Sequence, residues 1–195
     1  MTHVSRRTAL RSAAIAVGVA LGGCLEGTTD RGSDGDGQPP EDAGALGTPA
    51  ERTTVTANSQ PHPKFEPQVV HVVEGGTVEW LVETGRHDVT GYHEDGHGPH
   101  RSPHGVDAWG SERLSGVGSS YEQTFEQAGV YDYVDTQQVC TSHEVAGNVG
   151  RVVVGWPDPD DEPAMADPQP ELPTQVVRAI DLFNEETRPV LEDGP

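Results

Sequence analysis

Three side chains in this sequence can donate to a single metal ion. Cys140 and His143 lie three residues apart in Cys140-Thr141-Ser142-His143, and His87 lies far upstream. A cysteine sulfur and an imidazole on one turn, joined by a distant second imidazole, provide one sulfur and two nitrogen donors. Copper that transfers electrons is held by such a set. The sequence therefore predicts one copper ion that cycles between Cu(I) and Cu(II).

The amino terminus carries the signature of an export segment. Arg6 and Arg7 precede an apolar run over residues 13–21, which is too short to span a bilayer. This arrangement resembles a twin-arginine export signal, although an ordinary secretory segment has similar features. Leu21-Gly22-Gly23-Cys24 resembles a lipobox, in which the cysteine is lipidated. We expect residues 1–23 to direct export by the twin-arginine route, and Cys24 to anchor the chain to the lipid bilayer at the outer face of the cell membrane.

The cysteine count strengthens the metal interpretation. The chain has two cysteines, so a lipidated Cys24 leaves Cys140 as a single thiol in an oxidising compartment. An exposed thiol is oxidised there, whereas a metal-bound thiolate is protected.

The charge balance excludes one class of partner. Aspartate and glutamate number 32 against 12 lysines and arginines, and the formal net charge is −20. Nucleic acid is repelled by such a surface, since its binding depends on basic contacts. Carboxylate-rich surfaces are typical of a halophile's protein; intrinsic disorder is the alternative, and the strand patterns in the middle of the chain argue against it.

The remaining organisation follows from composition and from period-two patterns. Residues 24–52 are predicted to be a flexible acidic tether, and residues 157–195 a Pro- and Asp-rich linker with a short amphipathic helix over 174–186. Between them, a domain over 53–156 contains short strands separated by Gly-bearing turns, including a tight turn at Glu74-Gly75-Gly76. The fold class expected is all-β, a Greek-key antiparallel sandwich. The predicted strands are 53–56, 67–73, 77–83, 120–125, 130–134 and 149–156.

The same domain resembles the plastocyanin and halocyanin family of blue copper proteins. The similarity lies in Gly85-Arg86-His87-Asp88, in Gly129-Val130-Tyr131-Asp132-Tyr133, and in Cys140-Thr141-Ser142-His143-Glu144 followed by a valine-rich strand. The resemblance implies a cupredoxin-like type 1 site in which His87, Cys140 and His143 bind copper in a plane. It further implies a carrier of single electrons between membrane-bound redox proteins, with no enzymatic activity.

Two departures from the family pattern bear on this site. The axial methionine of the family is replaced by Asn148, whose harder amide oxygen favours Cu(II) and lowers the reduction potential if it binds. In addition, residues 134–139 separate Tyr133 from Cys140, whereas the family reaches its cysteine almost at once. We expect a bulge or small loop beside the ligand turn.

A histidine-rich loop offers an alternative function. Histidines in a Gly- and Pro-rich segment can capture a second copper or zinc ion, which would suit a copper carrier or buffer without an electron-transfer role. The simpler alternative is a solvated loop whose histidines titrate near neutrality. A copper oxidase would need paired His-x-His motifs, which the sequence lacks. The loop histidines are His93, His97, His100 and His104.

Overall fold

The computed structural model describes residues 41–138 and 142–195, which belong to one compact unit, Gln38–Pro195. Within these ranges the chain forms nine strands, a 3-10 helix and an α-helix. The strands are β1 (Ala50–Asn58), β2 (Lys64–Glu66), β3 (Val69–Val82), β4 (Arg86–His87), β5 (Thr90–Gly91), β6 (Leu114–Ser115), β7 (Ser120–Phe125), β8 (Gly129–Val134) and β9 (Val149–Val154). The 3-10 helix spans Pro163–Met165, and α1 spans Thr174–Asp193.

Strand β3 contributes to both layers of the sandwich. Its first half pairs with β9, and its second half lies between β1 and β7. The predicted tight turn at Glu74-Gly75-Gly76 is wrong, because the chain continues there as one strand that passes between layers. Gly75 has a φ of +76°, and a Cβ on Gly76 would lie 2.7 Å from the Val73 carbonyl oxygen. Two glycines thus allow a bend where L side chains are strained or excluded.

The predicted sandwich is present, but its strands are not all antiparallel. The order β2-β1-β3-β9-β8-β5 contains two parallel pairings, β1 with β3 and β3 with β9. The two layers meet at Trp80 of β3 and Tyr133 of β8, whose rings pack edge to face with centroids 5.1 Å apart. Both side chains have no exposed surface, so the core between the layers is dry on both sides.

Helix α1 covers the outer face of β8 and β9. All six residues of each strand are buried, which a sandwich with one solvated face would not allow. Val134 and Val149 pack into one cluster with Val176, Ile180 and Phe183 of the helix. The helix extends seven residues beyond the predicted end, because its buried stripe continues to Leu191. No helix in 41–138 or 142–195 is long and apolar enough to cross a membrane.

Residues 41–52 and 157–173 are part of the folded unit, although the sequence predicted a tether and a linker there. Residues from 41 onward pack on the sandwich, since the Gly44 carbonyl accepts a hydrogen bond from the backbone N–H of His71 at 2.8 Å. Residues 157–173 contribute buried Ala164, Met165 and Leu172. Apolar side chains separated by prolines do not follow a helical or strand period, which is why the pattern resembled a linker.

A buried ion network fastens this carboxy-terminal segment to β8 and β9. Asp132 accepts hydrogen bonds from Arg101 Nε at 2.8 Å and Arg151 Nε at 2.7 Å. Arg151 also donates to the Ala164 carbonyl at 2.9 Å and to Asn184 Oδ1 at 2.8 Å. The three charged side chains are at most 1% exposed. One carboxylate is therefore shared by two guanidinium groups, which reach across to the 3-10 helix and α1.

Asp132→Asn is expected to lower the free energy of unfolding by about 3–5 kcal/mol, because it leaves buried guanidinium charge without its partner. Urea denaturation followed by circular dichroism measures the change. The matched control is Glu122→Gln, which removes an exposed partner of Arg52 and should cost less than about 1 kcal/mol. Equal losses in the two variants would contradict the role given to the network.

His71 joins the amino-terminal segment to the end of β9. Its Nδ1 accepts a hydrogen bond from the Gly47 N–H at 3.1 Å, and its Nε2–H donates to the Gly155 carbonyl at 2.7 Å. This arrangement requires a neutral ring. Burial lowers the pKa of His71, and the bond to Gly155 opposes that shift more weakly.

The stabilisation from His71 should be present above its unfolded pKa of about 6.5 and be lost as pH falls below that value toward the lower folded pKa. Urea unfolding at pH 7.5 and pH 5 is expected to show a larger loss of stability in the wild type than in His71→Gln. The exposed His62 provides the control variant His62→Gln. Its free energy of unfolding should fall between pH 7.5 and pH 5 by as much as that of the wild type. The same pH dependence in all three proteins would contradict the prediction.

Candidate metal centre

Hydrogen bonds to two segments that precede His87 in the chain orient its ring. Its Nε2 lies 2.8 Å from the Thr84 carbonyl oxygen and 3.1 Å from Ser59 Oγ. A carbonyl only accepts, so Nε2 carries a proton, and Nδ1 is the nitrogen left for a metal ion when the ring is neutral. Gly85, with a φ of +89°, permits this approach, because a Cβ there would lie 1.9 Å from Ser59 Oγ.

His143 begins the turn that leads into β9. Its backbone N–H donates to the Gln137 carbonyl at 2.9 Å, and its carbonyl accepts from the Asn148 N–H at 3.0 Å. Gly147, with a φ of +86°, faces α1, where an added Cβ would lie 3.0 Å from Gln175 Cβ. The turn is thus held by the preceding loop on one side and by the helix on the other.

Asp135 connects the two histidines. Its Oδ2 lies 2.6 Å from His87 Nδ1 and 2.6 Å from His143 Nδ1, and the imidazole centroids are 5.2 Å apart. Asp135 and His87 have no exposed surface, and His143 is 3% exposed. The Nδ1 atoms of the predicted ligands therefore converge on one carboxylate oxygen.

Sequence analysis did not identify Asp135 as a site residue. Asp135 comes directly after β8, two positions beyond Tyr133. The family that the sequence resembles has its cysteine close to this position. The signal was the extra segment 134–139, which we interpreted as a bulge. An aspartate at the end of that strand was the available clue.

Asn148 lies beside Asp135, and its amide nitrogen, not the oxygen that the sequence analysis considered as a donor, faces the carboxylate. Its Nδ2 donates to Asp135 Oδ2 at 2.8 Å. Its Oδ1 is buried and has no hydrogen-bond partner in 41–138 or 142–195. A buried amide oxygen without a partner is costly and remains available to a cation.

The donor set suits a metal ion. The ligand atoms of His87, Asp135 and His143 lie within 4.8 Å of one another. Imidazole nitrogen is a good donor to copper, and a carboxylate oxygen adds the negative charge that a divalent ion needs. Residues 139–141 and 1–40 lie outside the described ranges, so the predicted roles of Cys140 as a ligand and Cys24 as a lipid anchor stay predictions.

The predicted second metal site is only partly assembled. The rings of His93 and His100 are 4.8 Å apart, and those of His100 and His104 are 5.7 Å apart. Glu94 contacts His100, and His93, Glu94 and His100 form a second group of possible ligands. However, His93 Nδ1 accepts from the Asp95 N–H at 3.1 Å, and its Nε2 lies 3.0 Å from the Val106 carbonyl. Both nitrogens of His93 are therefore occupied.

His97 lies apart from this group. Its Nε2 is 3.2 Å from Glu144 Oε1, which also accepts from the Tyr92 hydroxyl at 2.9 Å. Burial first, and then the Glu144 carboxylate, raise the pKa of Tyr92 well above its usual range. His97 and Tyr92 thus brace the residue next to His143 instead of completing a second metal site.

Comparison with known proteins identifies relatives of this domain. Residues 51–155 match the family described as copper binding proteins, plastocyanin/azurin family. A halocyanin from Natronomonas pharaonis is 33% identical over 92 residues, which are 46% of this chain and 47% of that protein. The chain thus spans about half the length of that curated relative.

Solved structures support the same fold. A pseudoazurin from Sinorhizobium meliltoi has a TM-score of 0.51 at 19% identity, covering 69% of this chain and 94% of its own. A pseudoazurin from Methylobacterium extorquens AM1 has a TM-score of 0.51 at 18% identity, covering 69% and 98%. The predicted β-sandwich is confirmed by these similarities.

Proposed function

We propose that this chain, which belongs to the plastocyanin/azurin family of copper-binding proteins, is an exported carrier of single electrons with one copper ion between His87 and His143. Its family membership confirms the resemblance found in the sequence and identifies copper as the cofactor. Members of this family are electron carriers, and we assign no catalytic reaction to this chain.

The observation that supports the proposal most directly is the convergence of two buried Nδ1 atoms. Thr84 uses the Nε2 proton of His87, so the remaining lone pair faces the centre. A ligand held by an outer hydrogen bond keeps its orientation in both oxidation states of a metal. Small rearrangement between Cu(II) and Cu(I) is the condition for fast electron transfer.

The thiolate of Cys140 and the amide of Asn148 complete the centre in this proposal. Copper supplies the one-electron redox chemistry when bound, and a cysteine thiolate would make the centre type 1. The sequence places Cys140 three residues before His143, and Asn148 Oδ1, which has no hydrogen-bond partner within the described ranges, would be available to the ion.

A route for electrons is supported by the surface next to His143. Its side chain is 4% exposed, and Val145, two residues later, is 58% exposed. With a net charge of −20 on the chain, contact through a small apolar surface would avoid repulsion from another acidic protein. We propose membrane-bound redox proteins as donor and acceptor, and attachment to the outer face of the membrane through Cys24.

The copper-buffer alternative has a possible ligand group in His93, Glu94 and His100, but the hydrogen bonds of the loop oppose it. His93 uses both ring nitrogens in backbone hydrogen bonds, and His97 interacts with Glu144. Metal capture there would require these contacts to break.

When Cu(II) is added to the purified full chain, each chain is expected to bind one ion and to show reversible one-electron electrochemistry. His87→Gln should weaken Cu(II) binding by about 100-fold or more, because it removes a ligand whose supporting contacts alone are worth 10–100-fold in such sites. If Cys140 is a ligand, an intense thiolate-to-copper absorption will be present in the wild type and absent in Cys140→Ser.

The control is His62→Gln, an exposed histidine remote in sequence from the ligand segments, which should bind copper as the wild type does. Colourless binding of two or more ions that survives His87→Gln but not loss of His100 and His104 would contradict the electron carrier and favour the buffer.

A further inference from the structure

We propose that the Asp135 carboxylate is itself a ligand of the copper ion held by His87 and His143. The inference rests on the proposed function, because it concerns the same ion. The family that the sequence resembles supplies a cysteine ligand and no carboxylate. Ligation by Asp135 makes the centre a two-histidine, one-carboxylate site, whether or not Cys140 also binds.

The backbone fixes Asp135 at the centre. The last pair of the β8–β9 ladder is Val134 with Val149, and the next hydrogen bond runs from the Asp135 N–H to the Asn148 carbonyl at 3.1 Å. Asp135 thus continues the strand pairing by one residue. Its position is set by the sandwich, independently of the loop that follows.

The two carboxylate oxygens have different roles. Oδ1 accepts hydrogen bonds from the backbone N–H groups of Gln137 at 3.0 Å and Asp88 at 3.3 Å. Oδ2 faces the two histidine Nδ1 atoms and Asn148 Nδ2. One oxygen therefore anchors the side chain, and the other points into the group of donors.

Charge provides the strongest argument. Asp135 has no exposed surface, and within the described ranges its contacts include no arginine or lysine. The other buried aspartate of β8, Asp132, has two arginines. A buried carboxylate needs a compensating positive charge, and a copper ion bound by Asp135 Oδ2 together with His87 and His143 would supply it.

Asn148 is then a positioning residue for the carboxylate. Its amide N–H donates to Oδ2 at 2.8 Å from the position just before β9, as Asp135 lies just after β8, so both strand ends contribute to the centre. A carboxylate oxygen is a hard anionic donor that stabilises Cu(II) over Cu(I). The expected consequence is a reduction potential lower than that of the same centre without Asp135.

The first experiment compares Asp135→Asn with the wild type in Cu(II) competition titrations, electron paramagnetic resonance and electrochemistry of the full chain. We expect about 100-fold weaker Cu(II) binding, a changed resonance spectrum and a raised potential. The control is Glu162→Gln, a partly buried carboxylate that accepts a hydrogen bond from the Val130 N–H at the other end of β8. Its Cu(II) affinity should match that of the wild type.

The second experiment moves the only sulfur donor of this domain. In a Cys140→Ser background, Asp135→Cys should produce an intense thiolate-to-copper absorption on adding Cu(II), because position 135 faces both histidines. The same thiol at position 88, introduced as Asp88→Cys in that background, should not. Circular dichroism of the copper-free proteins establishes that each variant is folded.

The outcomes separate the two proposals. If the wild type binds copper in a His87-dependent manner while Asp135→Asn has the same affinity and spectrum, the inference is overturned and the proposed function stands; Asp135 would then be a partner of protonated histidines. Failure of the wild type to bind copper would overturn both. A colourless Asp135→Cys, Cys140→Ser protein that is folded would also count against ligation by residue 135.

Discussion

The antiparallel pairing of β8 with β9 determines where Asp135, His143 and Asn148 of the metal centre lie. Asp135 leaves β8 at one end of this ladder, and Asn148 enters β9 at the same end. The turn that carries His143 must close between them, so its position follows from the register. His87 comes from a separate short strand, but its Nδ1 meets the same carboxylate oxygen. A one-residue slip would move Asp135 to the opposite face.

Burial on both faces gives this ladder its rigidity. Tyr133 packs inward against Trp80, while Val134 packs outward against α1. The charged triad of Asp132 with its two arginines then ties the same strand to the 3-10 helix and α1. Because interiors are close-packed, a strand held on two sides has little freedom to relax when the charge of a nearby ion changes. The carboxy-terminal segment therefore supports the centre without contributing a described ligand.

Much of this was available from the sequence, and the exceptions have physical causes. Period-two patterns predicted β7, β8 and β9 almost to the residue, and local motifs selected His87 and His143. The pattern failed at Glu74-Gly75-Gly76, because glycines allow a bend within a strand as readily as a turn. It also failed for the carboxy-terminal cover, because Ala164 and Met165 lie among prolines and acids without a period. Asp135 was missed because the extra segment 134–139 was interpreted as a bulge, and a single aspartate in an acidic chain does not stand out until two imidazoles are seen to face it.

A cysteine at the end of a strand would both be positioned by the ladder and supply negative charge to the metal. The extra residues before Cys140 separate these two properties. A residue at a strand end is positioned by the ladder, whereas a residue further along a loop must be ordered by other contacts at a cost in conformational entropy. Here the strand-end position belongs to Asp135, and Cys140 follows it by five residues in the sequence. In the proposed centre, the negative charge that the ladder positions therefore comes from a carboxylate. Because oxygen is a harder donor than sulfur, copper bound by Asp135 would favour the oxidised state.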